Sequence, residues 1–111
     1  MKGQKGDESK AASKRTALPR SSDFTKQFLK DWKRLNVSGR YDMVKLKEIM
    51  LLLIANDALL PAQLRDHELA GEWRDHRECH IGGDFLLIYH IEEQANLIIF
   101  TRAGTHSKLF R

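Results

Sequence analysis

With 111 residues, 41% of them apolar and 31% charged, this chain has room for one modest hydrophobic core and excludes a second domain. Its longest apolar run, Ile49 to Ala55, is too short for a membrane span, and no apolar stretch near the start predicts secretion. The lone cysteine, Cys79, excludes an internal disulfide, so a soluble cytoplasmic protein with no membrane partner is expected.

The formal charge of +4 divides unevenly, with six basic and two acidic side chains in residues 1–22 but thirteen of each in residues 23–111. A pI near 9.4 therefore describes the start of the chain more than its body. Thr101 to Arg111 nonetheless carries Arg102, Lys108 and Arg111 without an acid. An anion bound by the body is expected there.

Residues 1–14 combine Gly3, Gly6, lysines and serines with no aromatic or β-branched side chain, too little apolar surface to offset the entropy of ordering. They read as a flexible basic leader or a tag, and residues 15–111 read as the folded domain. Arg15 to Arg20 fits an edge strand, the sheet position that tolerates Pro19. Ser21, Ser22 and Asp23 are N-cap candidates for a helix whose stripe is Phe24, Phe28, Trp32 and Leu35. Asn36-Val37-Ser38-Gly39 breaks that pattern. A second helix is predicted from about Tyr41 to Ala55, burying Val44, Leu46, Ile49, Met50, Leu53 and Ile54.

Asn56 to Pro61 ends the second helix, and Ala62 to Glu72 reads as a loop. The period then changes from helical to alternating. Trp73 to Ile81 is predicted as a strand, with Arg74, His76, Glu78 and His80 on one face and Trp73, Asp75, Arg77, Cys79 and Ile81 on the other. Gly82-Gly83 signals a tight turn, Phe85 to Ile91 a central strand, and Leu97 to Ala103 a last strand before a short helical turn capped at Gly104-Thr105. The result is an α+β fold of order β-α-α-β-β-β: an antiparallel sheet with an N-terminal helical hairpin packed on one face. The other face is left for function.

All five histidines lie between Asp66 and Phe110. A zinc site is disfavoured, because there is no Cys-x-x-Cys pair and no His-Glu-x-x-His helix, and neither a metal nor another cofactor is expected. Mid-strand, Cys79 reads as a small buried hydrophobe rather than a nucleophile. Acid–base chemistry suits the residues better. Cleaving RNA without a metal needs one group to take the proton of a ribose 2′-hydroxyl, another to protonate the departing 5′-oxygen, and cations to hold the charge on phosphorus. His67, His80 and His106 can move protons, Asp84 can assist, and Arg77, Arg102 and Lys108 can supply charge.

The arrangement of Asp66-His67, Leu69, Gly71, Trp73, Arg77 and His80, then Asp84 leading into Leu86-Leu87-Ile88-Tyr89, then Arg102, Gly104-Thr105-His106 and Leu109-Phe110, resembles the YafQ branch of the RelE/ParE toxin superfamily. The similarity extends over about residues 15–111, including Met43, Leu46, Met50 and Leu53 in the helical hairpin. It implies a bacterial type II toxin that enters the ribosomal A site and cuts mRNA, restrained by a cognate antitoxin of the DinJ type. Carried over by position, the catalytic set falls on His67, His80, Asp84 and His106, with Phe110 stacking on mRNA. His106 is then the leading candidate for general acid and His67 or His80 for base, with Asp84 assisting. Arg102 and Lys108 are expected at the RNA, and Arg77 as a structural or phosphate-positioning contact.

Three departures from the family pattern stand out. Phe85 replaces a frequent tryptophan, keeping an aromatic RNA-facing surface but losing the indole hydrogen bond. Gly82-Gly83 replaces a stiffer acidic and proline-containing turn, and Asp75-His76 replaces a glycine and an aromatic, with His76 outside the site. Two other readings fit the same fold: a ParE-like gyrase inhibitor and a non-catalytic RNA-binding module.

Overall fold

Thr25 divides the aromatic stripe between two elements. In the computed structural model, which describes residues 18–110, Ser21–Phe24 form a strand, β1, and Lys26–Ser38 form helix α1. Thr25 has extended backbone, its Oγ1 accepts the N–H of Phe28 at 2.9 Å, and its hydroxyl donates to the carbonyl of Thr101 at 2.7 Å. The helix therefore starts later than the Ser21-Ser22-Asp23 caps predict. Those residues instead pair with the edge of the last strand, a gain in backbone hydrogen bonds that local capping preference does not match. Phe24 still stacks on Phe28 at 5.5 Å and on Phe100 at 5.9 Å, so the stripe is a real contact made from a strand.

Of the predicted edge strand, positions 15–17 lie outside the described residues, and positions 18–20 are not strand. Arg20 is instead fixed to the end of the second helix, its N–H donating to the carbonyl of Ile54 at 2.7 Å and its guanidinium to that of Leu53 at 2.7 Å. That helix, α2, spans Met43–Ala55, with Asp42 Oδ1 accepting the Lys45 N–H at 2.9 Å and Asn56 in left-handed backbone closing it. Leu46, Ile49, Met50 and Leu53 are buried at helical spacing. Val44, expected among them, is 65% exposed, because it falls on the opposite side of the first turn.

The predicted loop over Ala62 to Glu72 contains a 3-10 turn at Ala62–Leu64, a two-residue strand β2 at His67–Glu68, and the start of a second 3-10 turn at Gly71–Trp73. The next strand, β3, begins at Arg77 rather than at Trp73, since Asp75 takes a positive φ of 74° that no strand accommodates. β3 (Arg77–Gly82), β4 (Phe85–Glu92) and β5 (Leu97–Thr105) form an antiparallel meander, and α3 (His106–Leu109) ends the fold. The sheet has five strands in the order β1-β5-β4-β3-β2, with β1 parallel to β5 and every other pair antiparallel. The expected α+β architecture is present, with a fifth strand and one parallel edge added.

Alternation along β4 assigns the two faces. Phe85, Leu87 and Tyr89 join Cys79, Ile81, Ile98 and Phe100 in the core under α1 and α2. Leu86 and Ile88 face the other way, where Leu109 buries against them and Trp73, Leu69 and Phe110 pack at the margin. The face left open by the helices is thus partly roofed by α3. Gly104 allows this, because a Cβ there would stand 3.3 Å from Leu109 Cδ2 and 3.4 Å from Arg34 Nη2.

Beyond the end of β1, Asp31 of α1 continues the sealing of the β5 edge. Its wholly buried carboxylate accepts the Ala103 N–H at 3.0 Å, Arg102 Nε at 2.8 Å and Nη2 at 3.1 Å, and Arg34 Nη1 at 3.1 Å. Burial opposes ionisation, but the bonds from Arg102, the Ala103 N–H and Arg34 together outweigh it and hold the carboxyl below its ordinary value. Asp31→Ala is expected to destabilise the fold by about 3–5 kcal/mol, since it leaves Arg102 without its partner. Because the folded pKa is depressed, the ionised group's contribution is complete above the ordinary value of 3.8 and is lost as pH falls through the lower folded value. Denaturant titrations at several pH values should show the wild type losing this increment on acidification, and the variant lacking it throughout.

Candidate active site

Asp66 sets the position of the first histidine. Its Oδ2 accepts Arg77 Nε at 3.0 Å and Nη2 at 2.8 Å, and its Oδ1 accepts the Tyr89 hydroxyl. The bond to Asp66 is the main reason the Arg77 guanidinium is held above its ordinary pKa, and burial followed by the same carboxylate pushes Tyr89 up. Anchored this way, the short β2 pairs His67 with Glu78 and Glu68 with Arg77. Arg77 therefore serves as a structural clamp, also 3.5 Å from Glu68.

His67 and His80 converge on one carboxylate. Glu78, only 5% exposed, places Oε2 at 3.4 Å from His67 Nε2 and 3.5 Å from His80 Nε2, with the two rings 6.3 Å apart. Arg65 assigns the tautomers. Its carbonyl only accepts, so His67 Nδ1, 2.7 Å away, carries a proton; its guanidinium only donates, so His80 Nδ1, 3.3 Å from Nη2, is the bare nitrogen of that ring. In a neutral His67 the nitrogen without a proton is Nε2, the one beside Glu78.

The second group sits at the other end of the same level of the sheet. Leu86 pairs with His80 on one side and with Gly104 on the other, so His80 and Gly104 are two strand spacings, or roughly 10 Å, apart, and α3 begins two residues beyond Gly104. Thr105 Oγ1 caps α3 by accepting the Lys108 N–H at 3.3 Å, and Asp84 Oδ1 accepts the His106 N–H at 3.2 Å. Asp84 thereby ties the β3–β4 turn to the residue that carries the imidazole. The exposed His106 ring lies 4.9 Å from the Phe110 ring, and Phe110 meets Trp73 edge-on at 6.1 Å. Lys108 is exposed and makes no ion pair among the described residues.

Two of the expected RNA contacts are placed elsewhere. Phe85 is 5% exposed and packs on Tyr41 at 5.0 Å; the odd positions of β4 all face the helices, so replacing a larger aromatic here changes the core rather than an RNA-facing surface. Arg102 is committed to Asp31 through two nitrogens. Glu78 and Arg65 are the residues that sequence reasoning left out of the site. Glu78 had a visible signal, since it stands two residues before His80 on the same strand face. Arg65 had none, because its role depends on left-handed backbone at φ 50°. His76 lies outside the cluster, 5.3 Å from Trp73 and 5.3 Å from His90. Among the described residues, no group of three or more His, Cys, Asp and Glu side chains is disposed to hold a metal ion.

A helical hairpin on a five-stranded sheet, with a histidine–carboxylate edge and a half-buried aromatic beside His106, defines a small α+β domain with titratable side chains gathered on its open side. Residues 20–111 match the family model described as the bacterial toxin of type II toxin-antitoxin system, YafQ. The chain is 41% identical over 93 residues to the mRNA interferase toxin YafQ of Escherichia coli strain K12, covering 84% of this chain and 98% of that one. Its structure is similar to the crystal structure of YafQ from Escherichia coli strain BL21(DE3), with a TM-score of 0.75 and 40% identity over 83% of this chain and 99% of that one. It is similar in the same degree to a chain of the Escherichia coli DinJ-YafQ complex, with a TM-score of 0.74, 41% identity, and coverage of 83% and 99%. The chain belongs to the YafQ family of type II toxins.

Cys79 sits against this site without joining it. It is wholly buried on the helix side of β3, and burial, followed by the charges of Asp66 and Glu78, pushes its thiol up to about 12. Iodoacetamide at pH 8 is expected to leave Cys79 unmodified in the folded protein and to alkylate it in urea, as followed by intact mass. Rapid labelling of the native state would contradict this burial.

Proposed function

We propose that this chain is the toxin of a type II toxin–antitoxin system and a ribosome-dependent mRNA interferase, working in the cytoplasm and restrained by a DinJ-like antitoxin. The reaction is attack of a ribose 2′-hydroxyl on the adjacent phosphorus, with expulsion of the 5′-oxygen and no metal. The observation that carries this reading is that Leu86 pairs with His80, which shares the Glu78 carboxylate with His67, on one side and with Gly104, two residues before His106, on the other, while Asp84 accepts the His106 N–H. An attacking and a leaving oxygen stand on opposite sides of the phosphorus, and each needs its own proton carrier.

His67 acts as base through Nε2, and Glu78 stabilises the imidazolium that forms. His80, held by Arg65 and Glu78, keeps that carboxylate in place and faces the same ribose. His106 protonates the 5′-oxygen, positioned by Asp84 through its backbone N–H and by its contact with Phe110, which offers the remainder of its ring to a base. Lys108 and Arg65, both exposed, supply the cations that the phosphorane needs. Arg102 is assigned to structure rather than to phosphate.

Support for dependence on the ribosome comes from the charge balance. A nuclease that grips free RNA relies on phosphate contacts, whereas residues 23–111 hold equal numbers of basic and acidic side chains. Gyrase inhibition would make no use of two opposed proton carriers.

His106→Ala is expected to slow single-turnover cleavage of mRNA on programmed ribosomes by about 10²–10⁴-fold, with toxin binding to those ribosomes within about twofold of wild type. Undiminished cleavage would remove His106 from the mechanism, and DNA breaks without RNA cuts would replace the enzyme reading with gyrase poisoning. Glu78→Gln should reduce the same rate by at least about tenfold, while circular dichroism shows the thermal midpoint little changed. A full rate in that variant would show that the buried carboxylate does not serve the base.

A further inference from the structure

The reading above leaves unused a cleft at the end of the sheet, around the corner from His106. It has a volume of about 300 Å³ and lies between the α1–α2 connection and the β3–β4 turn, lined by Arg40, Tyr41, Lys45, Gly82, Asp84 and Thr105 among others. Two of these, Asp84 and Thr105, also hold α3 in place. The cleft is therefore continuous with the catalytic edge.

Its two cations and two carboxylates differ in what they bond. Arg40 and Lys45 are exposed, and neither side chain makes an ion pair among the described residues. The two acids at the same place are partly engaged: Asp42 Oδ1 accepts the Lys45 N–H at 2.9 Å and Asp84 Oδ1 accepts the His106 N–H at 3.2 Å. Tyr41, braced on Phe85 at 5.0 Å, gives the wall a rigid aromatic side. Two unpaired cations projecting from a firm wall, next to a site for RNA, match a phosphodiester better than a neutral group.

We propose that this cleft is a second RNA-binding subsite, in which Arg40 and Lys45 hold a phosphodiester other than the scissile one. The proposal rests on the mRNA interferase reading. The bound phosphodiester belongs either to the mRNA flanking the cut or to ribosomal RNA, and the two sources have the same chemistry at the cleft. Arg40 and Lys45 are binding residues here, with no share in proton transfer.

The test measures binding separately from cleavage. In a His106→Ala background, the affinity of the full chain for mRNA-programmed ribosomes is compared with that of the chain also carrying Arg40→Gln and Lys45→Gln. A matched control carries Lys30→Gln and Lys33→Gln on the exposed side of α1, removing the same charge elsewhere. The cleft pair is expected to weaken binding about tenfold and to flatten the dependence of log Kd on log salt by about one, with the control within about threefold. In the cleaving protein, the cleft pair should raise the half-saturating toxin concentration and leave the saturating rate within about twofold. Methylphosphonate linkages placed one at a time beside the scissile phosphate identify the source. One linkage that weakens the wild type and leaves the cleft pair unaffected assigns the phosphodiester to mRNA, and additive effects at every linkage assign it to ribosomal RNA. Unchanged affinity in the cleft pair, or an equal loss in the control, overturns the subsite. Absence of cleavage by the wild type would overturn the enzyme reading instead, and the binding comparison would still stand.

Discussion

The buried carboxylate of Asp31 is the constraint on which the active edge depends. It joins the middle of α1 to the backbone of β5 at Ala103, three residues before His106. A sheet edge that lost its strand partner at Phe100 would otherwise expose backbone N–H groups at the point where the chain must turn into α3. Asp31 supplies the missing acceptor and also neutralises Arg102, so two polar groups at the margin of the core are satisfied by one side chain. Such a network is costly to break and specifies one geometry. In this fold it fixes the middle of α1 against β5 at Ala103.

The two faces of β4 differ in what covers them. The Phe85, Leu87 and Tyr89 side is core, packed under α1 and α2. On the other side Leu86 and Ile88 form a small apolar floor roofed by Leu109, with Glu78 and His80 paired to it on one side and Arg102 and Gly104 on the other. His80 and Gly104, two residues before α3, are neighbours of the same residue across the sheet, so their separation follows from strand spacing. Loop conformation has little influence on it.

The same logic appears in the groups that position the histidines. Asp66 is clamped by Arg77 and Tyr89 from the helix-side layer and presents His67 to the opposite side. Asp84 leaves the glycine turn and takes the backbone N–H of His106. Each of these two carboxylates is thus occupied in holding another group, and among the described residues Glu78 is the carboxylate that faces two imidazoles. The flexible Gly82-Gly83 turn is restrained by the Asp84 contact at its far end, which answers the looseness that two glycines would otherwise allow.

The chain's own pattern determined two amphipathic helices and the three strands that follow them, which are legible because apolar periodicity and turn residues act locally. The grouping of His67, His80, Asp84 and His106 came from the family resemblance instead. Tertiary structure alone decided four matters. Ser21–Phe24 became a strand because the edge of β5 offered hydrogen bonds more favourable than an N-cap. Phe85 and Arg102 were drawn into packing and pairing, because strand alternation and a buried acid on a distant helix set their surroundings. His67 and Glu78 met through a two-residue strand too short to leave a sequence signal. Arg65 reached both histidines only because its backbone turns left-handed. In each case the deciding interaction depends on where the fold carries the chain, and no local preference encodes it.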